Sequence, residues 1–260
     1  MKDFILDLAQ CAGKCAMEYF GQITASDINS KATGKDLVSI ADKAVEQEII
    51  SRIHAVYPDH GIFGEESGKI AADSRYCWII DPIDGTQSFV KHHPFFSVSI
   101  ALYCDGKPQI GCVHAPALDR TFLGICGEGA WENGKEIHVS NCTELEEAAC
   151  ASGFAMLRAN CPHPAIDIFY DIAPRLRDIK RCGSAALDLC FVGAGIYDGY
   201  WEMGLAPYDV AAGSIIAREA GARVCDFDGN DTDLSGKIIA APPEIAAKLL
   251  NLIRKNCQMQ

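Results

Sequence analysis

The sequence has no apolar run approaching the roughly 18 residues of a membrane-spanning helix, so no helical membrane span is expected. Low-complexity tracts and internal repeats are absent. There is no P-loop, and Gly124, Gly127 and Gly129 do not fit a dinucleotide fingerprint. Basic residues are few: 23 Lys and Arg stand against 35 Asp and Glu, a formal net charge of −12. That balance argues against a nucleic-acid partner. It leaves room for an anionic substrate, because bound metal ions can reverse the local sign. None of the 13 cysteines forms a C-x-x-C pair and the count is odd, so reduced thiols in a cytoplasm are the simplest account. Residues 1–20 carry Lys2 and Asp3 and an amphipathic pattern in place of a signal-peptide core, which again fits a cytoplasmic location.

At 260 residues, with 49% hydrophobic and 22% charged residues, the chain suits a soluble globular protein of one large domain or two modest lobes. Its most informative stretch is Trp78-Ile79-Ile80-Asp81-Pro82-Ile83-Asp84-Gly85-Thr86. The apolar run from Tyr76 to Ile80 reads as a buried strand. It is expected to stop at Asp81-Pro82, because Pro82 cannot donate to a ladder. Two carboxylates then stand three residues apart across an expected tight turn. Such carboxylates repel and shift each other's pKa unless a cation lies between them. Their hard oxygens suit Mg²⁺, which also binds substrate phosphate. Solvated turn aspartates are the plain alternative for an isolated D-x-x-D.

Around this stretch the pattern alternates between helix and strand. Residues 1–20 place Phe4, Ile5, Leu8, Ala12, Cys15, Ala16 and Tyr19 on one helical stripe. A second helix is expected after Ser39 as its N-cap, with Val45, Ile49 and Ile53 inward and an end before Pro58. Asp42, three residues past Ser39, also fits capping-box chemistry. Glu65 and Glu66 lie between Gly64 and Gly68; in an extended segment they would point to opposite sides, so only one could join Asp81 and Asp84. From Phe95 onward apolar residues alternate, with turns at Asp105-Gly106 and at Asn133-Gly134 before Ile137-His138-Val139. His114 reads as a strand residue without chemistry. A lobe boundary is placed near 140–150, giving lobes 1–145 and 146–260. In the second lobe a helix from Ile166 is expected to end at Pro174, and Lys180 to Ala186 reads as strand, glycine turn and helix start. Ser184 there is either a simple N-cap or part of an anion-binding helix start. Tyr197 to Glu202 reads as a strand, and Pro207-Tyr208-Asp209 opens a helix whose dipole favours a charged Asp209. Asp226 to Asp231 begins like a calcium loop, but Asp231 and Lys237 stand where an EF-hand needs Gly and Glu.

Three segments occur in order: Gly64-Glu65-Glu66-Ser67, Asp81-Pro82-Ile83-Asp84-Gly85-Thr86 and Tyr208-Asp209-Val210-Ala211-Ala212-Gly213. Together they resemble the signature of the inositol monophosphatase family of Mg²⁺-dependent phosphatases. The resemblance runs from Lys31 and Asp36-Leu37-Val38 to Ile238-Ile239-Ala240-Ala241; it departs at Tyr208, where the family usually has Trp, and is weak after Cys150.

The resemblance implies a layered α/β sugar-phosphatase fold, with a mostly antiparallel N-terminal sheet and a second, smaller sheet. It implies two to three Mg²⁺ ions held by Glu65, Asp81, the Ile83 carbonyl, Asp84 and Asp209. Gly85 and Thr86 N–H groups would hold the phosphate beside Asp84 and Asp209, and Thr86 with Glu65, backed by Asp42, would orient the attacking water. Ser184, Ala185 and Glu202 would meet the alcohol. The implied protein is a lithium-sensitive cytoplasmic homodimer acting on a small phosphorylated polyol or amino alcohol, foremost inositol 1-phosphate. Histidinol phosphate and a nucleoside 3′,5′-bisphosphate are the other substrates implied. A regulatory binding protein that retains the fold is the alternative of a different class.

Overall fold

Periodicity along the chain builds the layers. Helix α1 (Lys2–Tyr19) buries Ile5, Leu8, Ala9, Ala12 and Ala16 along one stripe. After the short β1 (Ile28–Ser30) and β2 (Leu37–Ser39), helix α2 (Ile40–Val56) buries Val45, Ile49 and Ile53. The chain then makes β3 (Gly61–Gly64), β4 (Gly68–Ile70), β5 (Tyr76–Asp84), the single-turn α3 (Thr86–Val90), β6 (Ser97–Cys104), β7 (Lys107–Ala115), β8 (Arg120–Ile125), β9 (Gly129–Glu132) and β10 (Lys135–Glu136). Beyond it come β11 (Ala149–Ser152), α4 (Pro164–Ile172), β12 (Asp178–Lys180), α5 (Ala185–Gly193) and β13 (Gly199–Met203). The last elements are α6 (Pro207–Glu219), β14 (Arg223–Cys225), β15 (Lys237–Ala241) and α7 (Pro243–Gln258). This computed structural model describes residues 1–22, 28–30, 37–71, 73–155, 164–232 and 234–258. Lys31 and Asp36, at the start of the family resemblance, lie outside the described residues, as does the side chain of Ser39.

Strands β3–β10 form an eight-stranded sheet in the order β10-β9-β8-β7-β6-β5-β3-β4, antiparallel except for the β3–β5 pair. A five-stranded sheet, β12-β11-β13-β15-β14, mixes parallel and antiparallel pairs. The period of two in each strand sorts side chains between layers. Trp78, Ile80, Ile100, Leu102 and Leu123 pack with α1 and α2. Ile79, Ala101, Val113 and Phe122 face the other way, where α5 and α6 fill the space up to Tyr200, Ile238 and Ala240 of the small sheet. The far face of that sheet, with Trp201 and Ile239, is covered by α4 and α7. The result is five layers, α-β-α-β-α, the layered fold expected with its larger and smaller sheets. Among the described residues no helix is long and apolar enough to cross a membrane.

Three local expectations differ from the structure. Strand β5 does not stop at Asp81-Pro82 but runs to Asp84, because the register with β6 shifts between Asp81 and Asp84. Pro82 falls inside this irregularity, where no ladder N–H is demanded of it. The turn therefore begins only at Gly85, which adopts φ 93°. Glu65 and Glu66 lie in the tight β3–β4 turn between Gly64 and Gly68, not in an extended segment. After Asn133-Gly134 the returning strand is Lys135–Glu136, and Ile137 to Val139 run on outside it.

The central helix α6 lies unusually close to the large sheet. A Cβ at Gly111 would stand 2.7 Å from the Ala212 carbonyl oxygen, and one at Gly124 2.8 Å from the Ile216 Cα. These obstacles are backbone atoms, which cannot swing aside as a side chain can. Gly124→Val should therefore lower stability by about 1–3 kcal/mol through overpacking. Chemical denaturation would show this, and an unchanged midpoint would refute the close-approach argument.

Candidate active site

The layers leave a cleft of about 210 Å³ at the edge of the α5–α6 layer. The end of β5 supplies Asp81, Ile83 and Asp84, followed by Gly85 and Thr86 at the start of α3. The β3–β4 turn supplies Glu65; α6 supplies Tyr208 and Asp209; β13 supplies Glu202; and Ala185 and Asp188 come from α5. Glu66 does not line this cleft, so only one of the adjacent glutamates reaches it.

Asp81, Asp84 and Asp209 offer oxygens that lie within 4.8 Å of one another. Each is held in place by hydrogen-bond donors. Asp81 accepts the Ile83 N–H at 3.1 Å, and the Ile83 carbonyl accepts the Thr86 hydroxyl at 3.2 Å. Asp84 accepts the Ser184 hydroxyl, the Ala186 N–H at 2.8 Å and the Ala185 N–H at 3.3 Å. The free N–H groups at the start of α5 thus receive a carboxylate. Ser184 is at the same time the N-cap of α5, accepting the Leu187 N–H at 3.2 Å. Asp209 accepts the Ala206 N–H at 2.6 Å across the first turn of α6.

Burial is the main force on these acids. It drives the Asp81 carboxyl well above the usual carboxylate range, with Glu65, Asp84, Asp209 and Asp42 adding repulsion. It raises Asp84 to about 7 despite the lowering by Ser184, Ala186 and Ala185. Asp209 rises to about 8, from burial and then from the field of Asp84. So closely packed a set cannot be fully ionised without a counter-charge. Carboxylate and carbonyl oxygens gathered in this way fit a hard divalent cation.

The remaining sequence candidates fall around this centre. Asp42, 2% exposed in the first turn of α2, lies near enough to act on Asp81 but does not line the cleft. Gly85 and Thr86 open the five-residue helix α3, whose first N–H groups have no partner within the helix by construction. Glu202 lies on the same face of β13 as Tyr200; its oxygens accept the Tyr200 hydroxyl at 2.6 Å and the Ala155 N–H at 2.7 Å. A Cβ on Gly153 would lie 2.0 Å from Glu202 Oε2, so Gly153 makes room for that carboxylate. Tyr208 packs edge-on against Phe63 with ring centroids 6.0 Å apart. His114 bonds to Thr121 at 2.8 Å on the sheet and takes no part here.

Two residues that the sequence reading passed over also act here. Glu46, 3% exposed on α2, accepts the N–H groups of Glu66 at 3.0 Å and Ser67 at 2.7 Å, which fixes the turn bearing Glu65. Its signal was a glutamate among the inward residues Val45, Ile49 and Ile53, since a charged residue is rarely fully buried unless it is bonded. Asp188, 2% exposed on α5, lines the cleft near Glu202.

A layered α/β fold thus gathers carboxylates from separate segments around one cleft, a set of oxygens that could hold a metal ion. The sequence pattern of the inositol monophosphatase family matches residues 1–258. The chain is 40% identical over 256 residues to Nus factor SuhB of Haemophilus influenzae, covering 98% of this chain and 96% of that protein. Its fold matches the IMPase of Thermotoga maritima with a TM-score of 0.89 at 33% identity, over 99% of this chain and 98% of that one. SaIMPase-II, solved with inositol monophosphate bound, matches with a TM-score of 0.83 at 27% identity, over 99% and 95% of the two chains. The chain belongs to the inositol monophosphatase family.

The electrostatics set a direction for cation binding with pH. Asp84 and Asp209, with pKa values raised to about 7 and 8, hold protons below that range that a cation must displace. The rise in unfolding temperature on adding Mg²⁺ should therefore be larger at pH 8 than at pH 6. A shift independent of pH would contradict this. Glu46→Gln replaces one acceptor oxygen with a donor amide, so it should raise the Mg²⁺ concentration needed for half-maximal stabilisation by about 10–100-fold. An unchanged Mg²⁺ titration would show that the turn holds without it.

Proposed function

We propose that this protein is a Mg²⁺-dependent phosphomonoesterase that hydrolyses a small phosphorylated alcohol, foremost inositol 1-phosphate, to the alcohol and inorganic phosphate. The observation that carries the reading is the set of buried Asp81 and Asp84 with half-buried Asp209, within 4.8 Å and needing a cation, in one cleft with Glu202. Family membership and the inositol monophosphate bound by SaIMPase-II support the substrate class.

In this reading Glu65, Asp81, the Ile83 carbonyl, Asp84 and Asp209 hold two to three ions. When bound, such ions lower the pKa of a water and balance charge on the entering and leaving oxygens. The chain supplies the rest. The N–H groups of Gly85 and Thr86 donate to the phosphate without side-chain bulk. The Thr86 hydroxyl and Glu65 orient the attacking water, with Asp42 behind them. Ala185 meets the alcohol from the cleft wall, whereas Ser184, expected to do the same, is fully buried outside the cleft lining and acts instead by holding Asp84. Glu202, pinned by Tyr200 and Ala155, accepts hydrogen bonds from the alcohol. Water displaces the alcohol in line, and no covalent phosphoenzyme is needed.

The name of the relatives favours a second reading, in which this chain also serves as a Nus factor. That role need not use the carboxylates, so a catalytically dead protein would separate the two.

Phosphate release from a panel of esters, with and without Mg²⁺, tests the first reading. The activity of Asp84→Asn should fall by about 100-fold or more, since a bound metal supplies several kcal/mol of transition-state stabilisation. The variant's amide oxygen can still accept from Ser184 and Ala186, so the fold should survive. Full activity in chelator, or near-normal turnover by folded Asp84→Asn, would defeat the metal mechanism.

A further inference from the structure

Asp188 lies one turn into α5, on the wall of the cleft. It is 2% exposed, and its Oδ1 has no hydrogen-bond partner among the described residues. Its neighbours differ in this respect. Both oxygens of Glu202 accept a donor, from Ala155 and Tyr200, and Asp84 accepts Ser184, Ala185 and Ala186. An acid in the first turns of a helix is commonly there for the dipole, but such an acid sits exposed or hydrogen-bonded. Burying an ionised carboxylate without a partner costs several kcal/mol. Burial and the fields of Glu202 and Asp84 raise the Asp188 pKa, and Arg181, exposed at the rim of the cleft, is the opposing charge.

We propose that Asp188, together with Glu202, forms a cation-accepting subsite for the alcohol half of the substrate, extending the accepted esters from neutral polyols to alcohols that carry an ammonium group. This inference rests on the phosphatase reading above. A polyol needs acceptors, which Glu202 provides, and it gains little from a second buried negative charge. An ammonium in the cleft offers donors to the Asp188 carboxylate that lines it, and compensates two carboxylates at once. Asp188 is thus a specificity-determining residue, not part of the phosphate-cleaving machinery.

The test compares kcat/KM of the Mg²⁺-loaded enzyme on three esters: a 2-aminoalkyl phosphate, inositol 1-phosphate and p-nitrophenyl phosphate. Asp188→Asn keeps the shape and removes the charge. The expected result is a loss of at least about tenfold on the amino ester, with the other two changed much less. Its unfolding temperature should be unchanged or higher, because an uncompensated buried acid has been removed. Equal losses on all three esters, or no loss on the amino ester, would overturn the proposal. A wild-type enzyme that cleaves the aryl ester but not the amino ester would also overturn it, while leaving the phosphatase reading intact. Absence of Mg²⁺-dependent release from every ester would instead defeat that reading. Should Asp188→Asn fail to fold, inhibition of the wild type decides: the free amino alcohol should bind at least about tenfold more tightly than its uncharged hydroxyl analogue. Equal inhibition would count against the subsite.

Discussion

Repulsion among buried carboxylates is the constraint that the rest of the structure answers. Asp81, Asp84 and Asp209 present oxygens within 4.8 Å of one another in a cleft where burial dominates their ionisation. Two unit charges at that separation repel by about 3 kcal/mol at an effective dielectric near 20. The fold offsets part of this with donors that cost no mobility. Asp84 sits on the first N–H groups of α5, Asp209 on the Ala206 N–H, and Asp81 on the Ile83 N–H. The balance is what a bound cation would supply, so the cluster could hold a metal before any substrate is considered.

The layered architecture serves to bring these groups together. The irregular end of β5 presents Asp81 and Asp84 on one short length of chain. Helix α6, seated directly against Gly111 and Gly124, delivers Asp209 from more than a hundred residues away. Helix α5 starts at Asp84 and carries Asp188 one turn further, while β13 brings Glu202 on the face that Tyr200 shares. The same central helix layer thus supports the carboxylates proposed to hold metal and the wall proposed to meet the alcohol. Behind it, Glu46 secures the turn that carries Glu65. The cost of this precision is that a Cβ at Gly111 or Gly124 would run into backbone atoms of α6.

Much of this was legible in one dimension. The apolar stripe of α1, the alternation of β6 to β8 and the proline start of α6 follow from local periodicity and backbone chemistry. The ordered motifs around Glu65, Asp81 to Thr86 and Asp209 identified the family because several weak local signals agreed. Glu46 was missed because its partners are backbone N–H groups 20 and 21 residues away, and no pattern in α2 itself shows them. Asp188 was missed because it reads as one more residue of a helix start beside Ser184. The strand end at Pro82 was misplaced because an irregular register absorbs a proline, and register belongs to the partner strand.

From the sequence alone came most of the elements and the acids Glu65, Asp81, Asp84 and Asp209 proposed to hold metal, since both depend on spacing and side-chain type within a few residues. It also determined the family, through motifs that are each short and local. The tertiary structure alone decided that Asp84 lies on the N-terminus of α5 and that Glu202 is pinned by Ala155 and Tyr200. It alone left Asp188 buried with an oxygen unfilled. Those facts depend on hydrogen bonds and burial between distant segments. Their energies arise only when the layers close and water is excluded, which no local stretch of chain can encode.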